Sequence, residues 1–168
     1  MNCLLSLALV ATLWAPGPGQ PERPRQKSYG TGPFTFAFDV LEEEKCDSVA
    51  RGALRTKEGG QVRRTIWDVT LVNNPFFAWV DQRGRWVVTV GTECGAYRKH
   101  AIVVYDRLGA VVRDLALDEV LTEDELPRAR TEPDSGGTGL FRIGTRIEFE
   151  ESQVWAVLPW GRRVPLLK

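Results

Sequence analysis

The sequence predicts an all-β protein built from antiparallel hairpins, and three observations carry that prediction. Between residues 79 and 117, four short apolar runs rich in Val, Ile, Trp and Tyr follow one another. Two of the breaks between them are Asp-x-x-Gly turns, at 81–84 and 106–109, a length and composition that return a strand onto its neighbour. Upstream, Phe34, Phe36, Phe38 and Val40 alternate with Thr35, Ala37 and Asp39, the period of two expected of a half-buried strand.

The chain opens with a twelve-residue apolar run, CLLSLALVATLW at 3–14, ahead of Ala15-Pro16-Gly17-Pro18-Gly19. Crossing the hydrocarbon core takes roughly 20 residues. The run therefore reads as the h-region of a secretory signal over 1–19, with only the α-amino group as its positive charge. No integral membrane segment is expected after cleavage, and the mature protein is expected to be secreted or periplasmic. Cys3 has no apolar segment before it, which argues against a lipid anchor. Residues 20–33 are rich in Pro, Gly and Gln and read as a flexible linker. A single all-β domain is then expected over 34–168.

Within that domain the strand at 34–40 ends at Glu42-Glu43-Glu44, where three like charges favour an exposed turn. Runs at 48–56 and 61–72 flank Lys57-Glu58-Gly59-Gly60, which has the residues of a hairpin turn. Trp67, Val69 and Leu71 fall on one face of the second run, and Ile66, Asp68 and Thr70 on the other. Asn73-Asn74-Pro75 ends it, because proline lacks the ladder donor. Runs at 76–80 and 85–90 flank the first Asp-x-x-Gly turn, and runs at 100–105 and 110–115 flank the second. Each turn aspartate can accept hydrogen bonds from nearby backbone N–H groups. One short helix is predicted over 117–126, with Thr122 and Glu125 at capping-box spacing. An exposed loop at 128–139 precedes strands at 140–149, 153–158 and 163–167. The assembly predicted is an antiparallel meander forming a sandwich, an open barrel or propeller-like sheets, with the sandwich preferred.

Composition narrows the function. The 22 basic and 22 acidic side chains cancel, so there is no cationic excess with which to displace counterions from a polyanion. Nucleic acid is not an expected partner. The pairs Arg63-Arg64, Arg98-Lys99 and Arg162-Arg163 read as solvated faces or turns. The one histidine, His100, rules out a multi-histidine zinc site. No G-x-S-x-G elbow is present, and Gly136-Gly137-Thr138-Gly139 lacks the helix and Lys-Ser/Thr of a phosphate-binding loop. No cofactor and no metal are expected.

Three sets of residues remain as candidates. Cys94 and His100 could form a nucleophile–base dyad, with Glu93 and Tyr97 in the same irregular loop at 91–99. Cys46 and Cys94 could instead form one disulfide in an oxidising compartment, with two separate thiols as the alternative. Asp39, Glu148 and Glu150 point toward solvent by strand alternation and mark no catalytic carboxylate pair. Trp160 stands in a Pro-Trp-Gly turn where an exposed ring can stack on a sugar or anchor a protein, with Trp155 nearby in sequence and Tyr97 of the 91–99 loop as the other binding candidates.

The segment D-x-x-G-R-W-V-V-T, carried by Asp81, Gly84, Arg85, Trp86, Val87, Val88 and Thr89, and the segment H-A-I-V-V-Y-D-x-x-G, from His100 to Gly109, end in Asp114, Leu115 and Leu117. Together they resemble a group of uncharacterised exported bacterial proteins and the single blades of propeller-type proteins. The resemblance covers about a quarter of the chain and implies blade-like hairpins and export. It implies no catalytic residue. The function expected is a non-enzymatic binding or interaction protein with a protein or glycan partner. The alternatives are a small hydrolase or thiol enzyme using Cys94 and His100, and a carbohydrate-binding module using Trp155 and Trp160.

Overall fold

The computed structural model describes residues 27–30, 32–40, 50–91, 99–129 and 144–168. The described residues form three antiparallel meanders laid face to face. The first contains β1 (Lys27–Tyr29), β2 (Phe34–Val40), β3 (Ala50–Glu58) and β4 (Gln61–Thr70), in that spatial order. The second contains β5 (Pro75–Val80), β6 (Val87–Gly91), β7 (Ile102–Tyr105) and β8 (Val111–Leu115), again in chain order. Two single-turn helices follow, α1 (Leu117–Val120) and α2 (Leu126–Ala129). The third meander contains β9 (Arg146–Phe149), β10 (Val154–Val157) and β11 (Arg163–Pro165). The all-β, hairpin-built, layered fold expected from the pattern is the one the chain adopts. No closed barrel occurs among the described residues.

The middle sheet is covered on both faces. Val87 and Val103, with Tyr105 and Ala78, pack against Phe36, Phe38, Leu54 and Trp67 of the first sheet. Their strand neighbours Val88, Val90, Ile102 and Val104 pack against Ile147, Val154, Ala156 and Val164 of the third. Strand alternation splits β6 and β7 between two cores, which is why both read as continuous apolar runs. Each fully buried Val or Ile contributes about 1.5–3 kcal/mol, so these two strands hold a large share of the stability.

The two Asp-x-x-Gly turns share a backbone design. The Gly84 N–H donates to the Asp81 carbonyl at 2.8 Å and the Gly109 N–H to the Asp106 carbonyl at 3.1 Å. Both glycines have positive φ, 64° and 82°. Both also lie under an aromatic ring of the first sheet. A Cβ on Gly84 would stand 2.5 Å from the Phe34 ring, and one on Gly109 3.1 Å from that of Trp67. Each glycine is thus required twice, by its backbone and by its neighbour.

Four expectations are corrected. The expected linker at 20–33 contributes β1, whose Ser28 pairs with Ala37 and Tyr29 with Phe36 of β2. The one helix over 117–126 is two single turns, because Glu119 accepts the Ala116 N–H at 2.8 Å and Glu125 accepts the Thr122 N–H at 3.0 Å, each starting a separate turn. Pro75 does not simply end a strand: it opens β5, opposite Gly91 and beside a bulge, a position where a missing N–H is tolerated. His100 lies two residues before β7 rather than on it. The proposed signal, 1–19, lies outside the described residues, and no described helix is long and apolar enough to cross a membrane.

Gly84→Ala is expected to destabilise the fold by about 2 kcal/mol or more, combining positive-φ strain with a ring clash. Gly60→Ala, also at positive φ but with open space at its Cβ, is expected to cost about 1 kcal/mol. Urea unfolding should show the larger drop in midpoint for the first at unchanged slope; equal drops would contradict the ring contact.

Candidate functional site

A cleft of about 480 Å³ lies between the β5–β6 turn and the end of β9. Asp81, Gln82, Arg83 and Arg85 line one wall, and Phe149, Glu150 and Glu151 the other. The walls come from different sheets, and one side chain holds them together. The Nε of Arg85 donates to Asp81 Oδ2 at 2.8 Å, and its two terminal nitrogens donate to the Glu151 carbonyl at 2.5 Å and the Glu150 carbonyl at 3.2 Å. Asp81, 4% exposed, also accepts the Arg85 backbone N–H at 3.3 Å. Asp81 is therefore more than a turn residue. Asp106 matches the expectation better: its Oδ1 accepts the N–H groups of Leu108 at 2.7 Å and Ala110 at 2.9 Å.

Beyond Glu150 the outer face of the third sheet carries an ionic patch around Trp155. Glu150 accepts Trp155 Nε1 at 2.9 Å and an Arg163 nitrogen at 2.5 Å. Those bonds, with that of Arg163 the stronger influence, hold its carboxyl below the ordinary range. The Arg163 guanidinium lies 4.5 Å from the centre of the Trp155 ring and also reaches Glu148 at 3.2 Å. The half-buried ring of Trp155 is thus overlaid by a cation.

Trp160 is engaged elsewhere. Its Nε1 donates to Glu125 Oε1 at 2.5 Å, and Arg128 lies 5.3 Å from its ring centre. Arg162 donates to the same Glu125 oxygen through Nε at 2.8 Å, to Glu125 Oε2 through Nη2, and to the Val120 carbonyl at 2.5 Å. Glu125 is only 8% exposed. Arg162, read from sequence as a solvated half of a basic pair, instead turns inward to this carboxylate, while Arg163 faces out. Trp155 and Trp160 bind separate carboxylates, Glu150 and Glu125.

The third arrangement surrounds His100. Its Nδ1 is 2.7 Å from Asp114 Oδ2, a carboxylate–imidazole pair of the kind that orients a base. Its carbonyl accepts Asn73 Nδ2 at 3.1 Å, and Asn73 Oδ1 accepts the Thr89 hydroxyl at 2.9 Å. Asn73 and Thr89 are buried. The Asp114 Oδ1 is buried with no hydrogen-bond partner among the described residues. Nearby, the Tyr105 hydroxyl accepts the Val72 N–H at 2.9 Å; burial pushes its pKa up to about 12, so it stays protonated at neutral pH.

Of the residues singled out from sequence, His100, Trp155 and Trp160 are placed as above. Glu93, Cys94, Tyr97 and Cys46 lie outside the described residues, as does the glycine-rich stretch 136–139. Arg85, Phe149 and Asp114 escaped the sequence reading as site residues. Asp114 had one visible signal, a charged residue in an apolar strand opposite Val103. Arg85 had only a local one, Asp81 four positions earlier, since its partners across the cleft are backbone carbonyls sixty-five and sixty-six positions away. No group of three or more His, Cys, Asp or Glu side chains suited to a metal occurs among the described residues. No protein-family model, curated protein or solved structure matches the chain. What the fold and site define is a class alone: an antiparallel three-sheet protein with a braced cleft between two of its sheets.

The Glu125 cluster yields a pH dependence. Hydrogen bonds from Arg162, aided by Thr122 and Trp160, outweigh the opposing effect of burial and lower the Glu125 pKa to about 2, against 4.5 ordinarily. A folded value below the unfolded one means that the stabilisation is complete above the unfolded pKa and fades as pH falls toward 2. Urea midpoints measured through that window should decline, and Glu125→Gln should be less stable near neutrality and show a shallower decline. An unchanged profile in the variant would show that Arg162 does not hold this carboxylate.

Proposed function

We propose that the protein is an exported, non-enzymatic binding module that presents the cleft between its second and third sheets to a ligand. The observation that carries this reading is the Arg85 clamp. It ties Asp81 to the carbonyls of Glu150 and Glu151, so both walls are positioned before a ligand arrives and little ordering entropy remains to be lost. The volume lies within the range of roughly 300–1,000 Å³ common to small-molecule sites. Export rests on the apolar run at 3–14, and a protein or glycan remains the partner class that the aromatic and polar surface suits.

Isotope-edited NMR of the mature chain against a library of peptides, oligosaccharides and small metabolites tests the reading. At least one class should shift the backbone signals of 81–85 and 149–151 saturably. A cleft silent to the whole library would overturn it.

A second reading, a hydrolase or thiol enzyme, is favoured by one observation, the 2.7 Å contact of His100 with Asp114. Here Asp114 would orient the imidazole as a general base, with Cys94 as nucleophile. On that reading His100→Ala and Asp114→Asn each lower turnover of activated ester substrates by about 10²–10⁴. On the binding reading no such turnover exists to lose, and a Cys46–Cys94 disulfide detected by mass shift on reduction would remove the thiol.

A further inference from the structure

We propose that the ligand of this cleft is an uncharged saccharide, an inference that rests on the binding role above and specifies its chemistry. The argument turns on which lining groups are already committed. Arg85 is occupied by Asp81 and by two carbonyls. Glu150 is occupied by Arg163 and Trp155. Three exposed side chains of the lining make no hydrogen bond or ion pair with a described residue: Gln82, Arg83 and Glu151. One is a donor only, one an acceptor only, and the amide is both.

A ligand must satisfy this mixed set without meeting a like charge. An anion drawn to Arg83 faces the Glu151 carboxylate, and a cation drawn to Glu151 faces the Arg83 guanidinium. Hydroxyl groups donate and accept at once, so a polyol serves both without carrying charge. Two neighbouring hydroxyls also suit the forked geometry of a guanidinium or a carboxylate. Phe149 adds what a polyol alone would not use. Phe149, half-buried and packed against the core between the second and third sheets, belongs to the same lining, and its exposed part offers an apolar surface to the C–H face of a sugar ring. The combination of planar polar side chains and an aromatic surface fits a pyranose better than a free amino acid. It also moves the sugar-binding site from the two tryptophans to the cleft: Trp155 already carries Arg163 over its ring, and Trp160 is held by Glu125.

The test is an NMR titration of the mature wild-type chain and of Arg83→Ala and Glu151→Gln. The probes are maltotetraose, cellotetraose and mannotetraose, with the zwitterion Ala-Ala and trigalacturonate as charged arms. Arg83 and Glu151 are exposed and make no side-chain hydrogen bond or close ion pair with a described residue, Glu151 acting on Arg85 only through its charge, and far-UV circular dichroism checks that both variants fold. The expected result is saturable shifts at 81–85 and 149–151 with at least one neutral tetrasaccharide, weakened tenfold or more in Arg83→Ala and less in Glu151→Gln. Cleft shifts with Ala-Ala or trigalacturonate alone would overturn the saccharide assignment and leave the binding module standing. Shifts confined to the Trp155 face, unaffected by Arg83→Ala, would overturn the cleft as the sugar site. No shift in the cleft with any probe would overturn the saccharide assignment, and the wider library decides whether the binding role falls with it.

Discussion

The sheet β5–β8 is a wall shared by two hydrophobic cores, and the rest of the molecule is arranged around that constraint. A sheet at the surface has one face on which polar side chains are free. Here Val87 and Val103 face one core and Val88, Ile102 and Val104 the other, so β6 and β7 have no such face. The polar groups that do enter must be satisfied internally. Thr89 is fully buried and donates to Asn73, whose amide in turn donates to the His100 carbonyl. Leaving such a hydroxyl unpaired costs about 1–3 kcal/mol, comparable to deleting one of the valines beside it. The same requirement accounts for Gly91, where a Cβ would stand 2.8 Å from the His100 carbonyl oxygen.

Much of the fold was legible because it is written in local signals. The period of two at 34–40, the Gly59-Gly60 hairpin and both Asp-x-x-Gly turns each lie within a few residues of the structure they specify. Helical spacing at 117–126 misled for an equally local reason. Glu119 and Glu125 each turn back to a backbone N–H three residues earlier, giving two starts where the apolar pattern implied one continuous element. The β1 strand was hidden because Lys27, Ser28 and Tyr29 form an edge strand too short for a periodic pattern. The cleft was the least legible part. It depends on an arginine meeting main-chain carbonyls of another sheet, and carbonyls carry no sequence identity to read.

Two arginines perform related tasks at different places. Arg162 locks the α1–α2 segment onto the third sheet through Glu125, and Arg85 locks the second sheet onto the third through Asp81. Neither replaces the apolar contacts as the main source of stability, since burying the carboxylate of each pair costs desolvation that offsets much of its attraction. Their effect is on position. Each guanidinium combines one carboxylate with main-chain carbonyls, and a planar fork with fixed donor directions transmits the orientation of one loop to another.

The two Asp-x-x-Gly turns, compared with each other, connect the sequence to the cleft. Their backbones are alike, and each glycine sits beneath an aromatic ring of the first sheet. Their aspartates differ in use. Asp106 satisfies its own turn through Leu108 and Ala110, and Leu108 at its tip is 80% exposed. Asp81 engages Arg85 instead, and through Arg85 the neighbouring sheet, so the residues at its tip, Gln82 and Arg83, become one wall of a cleft. A turn that would otherwise serve only to reverse the chain becomes, by redirection of one carboxylate, the positioning element of one wall of the cleft. The packing of the scaffold is what makes that conversion possible: with β6 buried on both faces, the turn is carried on a strand fixed between two cores and its side chains remain to be committed.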